Sequence, residues 1–162
     1  MSDAYDVLVF KDYLKFSAAH FIARKGYREP LHGHNYTVSV RLEGGLGDDG
    51  YVLDFGIVKK AVKAVCKGLD DRVILPARSD CLRVERRAGQ VVATYEDGAA
   101  FSFPESDVVL LPIAHSSAEE LARHVLAEVG KSLPDLARRG VRLIEVGVAE
   151  APGQVAYCRE KL

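Results

Sequence analysis

Long apolar runs are missing from this chain of 162 residues. None approaches the roughly 20 residues that a helix needs to cross a bilayer, so no membrane partner is expected. Met1-Ser-Asp-Ala-Tyr-Asp6 has neither the basic nor the apolar region of a signal peptide. Cysteine is scarce: Cys66, Cys81 and Cys158 are odd in number and show no CxxC spacing. A reduced, cytoplasmic protein is the simplest expectation. An excess of one charge is also absent. The 22 Lys and Arg against 23 Asp and Glu leave a net charge of -1, so nothing calls for nucleic acid or an acidic surface as a partner. No internal repeat or low-complexity tract is visible. What is present is ordinary for a globular protein: 48% hydrophobic and 28% charged residues, enough for a single domain over residues 1–162 with a hydrophobic core.

The patterning predicts an α+β chain. Tyr5 to Phe16 reads as a strand and Phe21 to Leu31 as a loop containing Gly26 and Pro30. Tyr36 to Glu43 is the clearest strand, with Val38, Val40 and Leu42 on one face and Thr37, Ser39 and Arg41 on the other. After a turn at Gly44 to Gly50, Tyr51 to Leu53 is expected to resume the sheet. Asp54 caps a helix to Leu69 with Val58, Ala61, Val62, Val65 and Leu69 at helical spacing. Ser116-Ser-Ala-Glu119 matches a capping box before a second helix, whose stripe is Leu121, Ala122, Val125, Leu126 and Val129. Gly140 ends that helical region. Val141 to Ala149 and Gln154 to Arg159 read as closing strands. Between the helices, about residues 77–112, Leu82 to Arg87 and Val91 to Tyr95 suggest an inserted β-hairpin, and Ala100 to Phe103 a further strand.

Chemistry concentrates on three histidines. His32 and His34 are two apart on a segment entering a strand, so both face one side and can share an ion. His20 follows another predicted strand and comes alongside if the two strands pair. Each alone is an ordinary histidine. Together they form an imidazole set for a divalent metal, Zn2+ above all. With no fourth ligand in view, the site is open, as a catalytic zinc requires.

The runs Phe16-Ser-Ala-Ala-His20, Leu31-His32-Gly-His34-Asn-Tyr-Thr-Val-Ser-Val40 and Gly50-Tyr-Val-Leu-Asp54-Phe-Gly together resemble the 6-pyruvoyltetrahydropterin synthase family, which includes 6-carboxytetrahydropterin synthase. The resemblance spans most of the chain outside the insertion. It implies the tunnelling fold: a four-stranded antiparallel sheet with two helices on one face. It also implies trimers stacked into a homohexamer, with sites between subunits, and His20, His32 and His34 as zinc ligands. In Val146-Gly-Val-Ala-Glu150, the family's glutamate grips the pterin, two acceptors meeting two coplanar donors. Ser117 aligns with a Ser or Thr that touches the pterin, although capping alone explains a serine there.

Two departures bear on the reaction. The family's usual cysteine before Leu-His-Gly-His is absent, and Glu29 lies three residues before His32 instead. This resembles the branch in which glutamate replaces cysteine and the side chain of 7,8-dihydroneopterin triphosphate is cleaved to 6-hydroxymethyl-7,8-dihydropterin, a step of folate biosynthesis. A partly desolvated carboxylate can move protons as a thiolate can. In Leu69-Asp70-Asp71-Arg72, Asp71 stands where the family has a relay histidine, and His115 is an alternative replacement. His124, within the second helix, reads as a surface residue. Lys25, Arg28 or Arg72 are candidates for the triphosphate. The expectation is a zinc-dependent lyase of a reduced pterin triphosphate. The alternatives are a 6-pyruvoyl- or 6-carboxy-tetrahydropterin synthase and a non-catalytic zinc-containing pterin or purine binder.

Overall fold

The computed structural model describes residues 3–162, so the leader reading at Met1 to Asp6 lies partly outside the described residues. In chain order the strands and helices are β1 (Tyr5–His20), β2 (Ala23–Arg24), β3 (Tyr27–Arg28), β4 (His32–Gly44), α1 (Phe55–Leu69), β5 (Arg72–Pro76), β6 (Leu82–Arg87), β7 (Gln90–Tyr95), β8 (Ala100–Pro104), β9 (Val108–Leu111), α2 (Ala118–Ser132), β10 (Val141–Ala151) and β11 (Gln154–Lys161).

The main sheet has six strands in the order β11-β10-β4-β1-β5-β9. Its first four are antiparallel, matching the expected layer. The expectation of four strands in all is corrected by β5 and β9, which add to the β1 edge in parallel. Both are short apolar runs, Val73-Ile-Leu75 and Val108 to Leu111, with no alternation to separate strand from buried helix. A parallel pair needs a long crossover, and the insertion supplies it between β5 and β9. That insertion is a three-stranded sheet, β6-β7-β8, rather than a hairpin alone. Its first turn is built by Ala88 and Gly89 at φ 49° and 77°, the left-handed pair of a type I′ turn.

The helices form as patterned. Asp54 caps α1 by accepting from the Gly56 N–H. Val58, Ala61, Val62, Cys66 and Leu69 of α1, with Leu121, Ala122, Val125, Leu126 and Val129 of α2, are buried against one face of the main sheet. From β4, Tyr36, Val38, Val40 and Leu42 meet them. Three smaller expectations are corrected. Tyr51 to Leu53 is a bend, with Val52 and Leu53 buried but unpaired in the sheet. Phe21 to Leu31 contains the short ribbon β2-β3. The cap of α2 is Ser117, one residue later than the proposed box, and accepts from the Glu120 N–H. Glu120 reaches back to the Ala114 N–H at 3.0 Å.

β1 carries the irregularity that matters most. Phe10 pairs with Ser39 and Lys15 with Thr37, so β1 takes five steps where β4 takes two. The three extra residues are an odd number, and an odd slip exchanges the two faces of a strand. Val9 points to the core before the break; Leu14, Phe16, Ala18 and His20 point there after it. Among the described residues, no helix covers the opposite face of the sheet. Leu8, Phe10, Val155 and Tyr157 lie exposed there.

Candidate metal and pterin site

Register places the histidines. His20 is directly opposite His32, and Ala18 opposite His34, across the β1-β4 pair. Because side chains alternate, His20 at the end of β1 and His32 and His34 at the start of β4 share the core-side face. Gly33 between them lets the strands close, since a Cβ there would meet the Ala18 carbonyl oxygen at 3.3 Å. The ring centroids stand 4.7 to 5.1 Å apart. One ligand atom from each ring lies within 4.8 Å of the others, so the trio could hold a metal ion.

The donor chemistry fits a metal. His20 Nδ1 is 2.8 Å from the Ser116 carbonyl oxygen, and His32 Nδ1 is 2.9 Å from that of Pro30. A carbonyl only accepts, so each Nδ1 carries the hydrogen and each Nε2 keeps its lone pair. His20 Nε2 is buried with no hydrogen-bond partner, which is costly unless a ligand satisfies it. Burial also holds the His20 pKa below its ordinary 6.5, against the opposing pull of the Ser116 carbonyl. The ring is therefore neutral, as a metal ligand must be.

Carboxylates approach from two sides. Glu150 sits where the β10-β11 register shifts between Ala149 and Ala151, and a bulge re-aims a side chain. It lines a cavity of about 730 Å³ together with His34, Thr37, Phe10 and Tyr157, a size that suits a bicyclic ligand. Its charge also acts on His20. Glu29 follows β3. Its N–H donates to the Ile22 carbonyl at 2.9 Å, and its Oε2 accepts from the Ile22 N–H at 2.9 Å. The carboxylate is thus tied to the residue two places after His20.

Tyr36 is a site residue that the sequence reading passed over. It continues the His32, His34 alternation on β4, which was the available signal. Its ring stacks on Phe16 at 4.8 Å and stands edge-on to His34 at 5.4 Å and His20 at 5.8 Å. Its hydroxyl is buried without a partner. Burial first, then the charges of Glu150 and Glu29, raise the phenol above its ordinary pKa of 10.0, so the hydroxyl stays a neutral donor.

The family model described as 6-pyruvoyl tetrahydropterin synthase matches residues 10–161. The chain belongs to the 6-pyruvoyl tetrahydropterin synthase family. A solved 6-pyruvoyl tetrahydropterin synthase from Plasmodium vivax is 44% identical, covers 99% of this chain and 100% of its own, and has a TM-score of 0.97. Two solved variants of that protein, described as catalytic residue mutants, replace a glutamate with alanine or with cysteine. A putative 6-carboxy-5,6,7,8-tetrahydropterin synthase from Methanocaldococcus jannaschii is 38% identical over 150 residues, 92% of this chain and 91% of that protein. A dihydroneopterin monophosphate aldolase from Pyrococcus furiosus is 44% identical over 57 residues, 35% of this chain and 48% of that protein.

The remaining candidates fall around this centre at different distances. Asp71 is exposed and lines a second cavity of about 480 Å³ with His34, Asn35 and Arg72. Its φ of 56° is left-handed, a conformation few residues other than glycine adopt. The Asp71 N–H donates to the Ser17 carbonyl, while Asp70 accepts from the Ser17 N–H, both at 2.7 Å. His115 Nδ1 is 3.1 Å from the Ala23 carbonyl oxygen, which leaves its Nε2 as the acceptor. Ser117 has a cap to serve, and its neighbour Ser116 supplies the carbonyl that orients His20. Arg28 donates to the Glu29 carbonyl at 2.9 Å, and Arg72 to that of Ser106. His124 is half-buried rather than a free surface residue.

The cysteines stand elsewhere. Cys66 is in the core on α1, where burial pushes its thiol up to about 12; it is not a thiolate at neutral pH. Cys81 lies in the core of the inserted sheet and Cys158 on β11. Among the described residues no helix is long and apolar enough to cross a membrane.

Proposed function

We propose that this chain is a zinc-dependent lyase that cleaves the side chain of 7,8-dihydroneopterin triphosphate to 6-hydroxymethyl-7,8-dihydropterin. The observation that carries the reading is Glu29, tied to Ile22 just after His20, where the family's usual enzymes have a cysteine. It is supported by the Plasmodium vivax protein, whose catalytic residue mutants replace a glutamate. The aldolase named among the relatives agrees with carbon–carbon cleavage. The M. jannaschii relative favours a second reading, 6-carboxytetrahydropterin synthesis. Glu29 is the residue that sets the two apart.

His20, His32 and His34 would hold the ion through Nε2. Zinc there supplies Lewis acidity, which acidifies the side-chain hydroxyls and stabilises developing negative charge. Glu150 accepts two hydrogen bonds from the pterin ring and fixes its orientation, and Ser117 is a second proposed contact to the ring. Glu29 takes the proton of the 2′-hydroxyl. The C1′–C2′ bond then breaks, C2′ leaves as the carbonyl of a phosphorylated two-carbon aldehyde, and C1′ keeps the electron pair. A proton returned to C1′ completes 6-hydroxymethyl-7,8-dihydropterin. Asp71 or His115 assists this transfer, and Lys25, Arg28 or Arg72 meets the triphosphate. Residues 1–162 act as one pterin-binding domain, assembled as a homohexamer without nucleic acid or membrane.

Glu29→Gln tests the assignment. The variant should lose about a hundredfold or more of turnover while zinc, measured by elemental analysis, remains bound. Wild-type turnover in this variant contradicts the role.

A further inference from the structure

The inserted sheet has a core of its own. Leu82, Val91, Ala93 and Tyr95 are buried with Phe21, Ala23 and Leu75 in a cluster separate from the one beneath α1 and α2. Phe21 and Ala23 belong to the stretch that leads from His20 to Glu29. Further contacts join the two. Phe101 stacks on Phe21 with ring centroids 4.6 Å apart, and the Arg28 guanidinium lies 5.2 Å over the Phe101 ring. The Tyr95 hydroxyl donates to the Arg24 carbonyl at 2.8 Å. Glu96 accepts from the Gly26 N–H at 2.7 Å.

A ribbon as short as β2-β3 does not order itself. Its stability must come from what it packs on, and the inserted sheet is that support. We infer that the three-stranded sheet is a platform that positions Glu29, with Phe101, Tyr95 and Glu96 as positioning residues. The inference rests on the proposed role of Glu29. The mechanical link is Ile22: it lies between the buried Phe21 and Ala23, and it bonds Glu29 through both backbone and carboxylate. Displacing Phe21 therefore displaces the carboxylate. An error of about 1 Å at a reacting group costs on the order of a hundredfold in rate. The histidines stand on β1 and β4 and Glu150 on β10, outside the inserted sheet. His20 alone adjoins the platform, through its neighbour Phe21, whose carbonyl accepts from the Ser116 hydroxyl at 3.0 Å, so bound zinc is measured beside kcat.

The test compares Phe101→Ala and Glu96→Ala with the conservative Phe101→Tyr and Glu96→Gln. Turnover of 7,8-dihydroneopterin triphosphate, bound zinc and amide hydrogen exchange are measured on each zinc-loaded protein. Phe101→Ala should lower kcat about tenfold or more, with KM within about twofold. Exchange should quicken at residues 21–29 and stay slow in β4, and Phe101→Tyr should restore both. Glu96→Ala should quicken exchange at Gly26 and lower kcat, with recovery in Glu96→Gln. Normal kcat and normal exchange at residues 21–29 in Phe101→Ala overturn the inference. If exchange in Phe101→Ala quickens throughout the chain, the exposed Glu96 decides: unchanged exchange at Gly26 and unchanged kcat in Glu96→Ala overturn it. Glu29→Gln, run alongside, separates the two claims. Wild-type turnover there overturns the role of Glu29; lost turnover there with normal kcat in both alanine variants overturns the platform alone.

Discussion

At the scale of residues, the site is a convergence of orphaned or constrained polar groups. His20 Nε2 and the Tyr36 hydroxyl are buried without partners, and the backbone of Ile22 ties Glu29 in place. Such groups carry a cost that bound metal and substrate would offset. In the proposed reaction Glu150, which lines the larger cavity, would hold the ring and would not touch the bond that breaks. Glu150→Ala should therefore raise the dissociation constant for a reduced pterin about tenfold to a hundredfold. Bound zinc should be unchanged. Equilibrium binding followed by pterin fluorescence checks this, and wild-type affinity would remove Glu150 from the ring-binding role.

At the scale of elements, much was legible because local patterns and tertiary packing agree. Val38, Val40 and Leu42 alternate in sequence and are buried in β4, and both helical stripes are buried except at Val65, which is half-buried while Cys66 beside it enters the core. The histidine face was legible in part. His32 and His34 share it by simple alternation. His20 reaches it only because β1 carries three extra residues between Phe10 and Lys15, a long-range register feature that no local pattern encodes. β5 and β9 escaped detection because a short apolar run fits a strand or a buried helix equally well. The motif singles out Glu150 as a candidate, while the bulge at its position is visible only in the pairing with β11. Burial first, and the Lys131 charge in the same direction, hold the His124 pKa below its ordinary 6.5, with Glu128 opposing. The unfolded chain then takes up a proton before the folded one does. His124 thus contributes stability that is present above about pH 6.5 and is lost as pH falls through its lowered folded value. His20 acts in the same direction. Thermal unfolding of the metal-free protein should show a falling Tm below that pH, and a shallower fall in His124→Gln. An identical pH profile in the variant contradicts the assignment.

At the scale of the whole molecule, one face of the main sheet is covered by helices and, among the described residues, the other is bare. The bare face presents Leu8, Phe10, Val155 and Tyr157 around the cavity that Glu150 lines. Contiguous exposed apolar groups beside a ligand cavity mark an association surface. The proposed homohexamer would bury them and complete the cavity wall. Light scattering should return the mass of six chains, and Phe10→Asp should shift it to smaller species with weaker pterin binding. A monomeric wild-type protein contradicts that assembly. Product identity shows which bond breaks. Zinc-loaded protein is incubated with 7,8-dihydroneopterin triphosphate and the pterins are separated and identified by mass. The main product should be 6-hydroxymethyl-7,8-dihydropterin; a 6-pyruvoyl or 6-carboxy tetrahydropterin, or bound but unconverted substrate, would contradict the proposed cleavage.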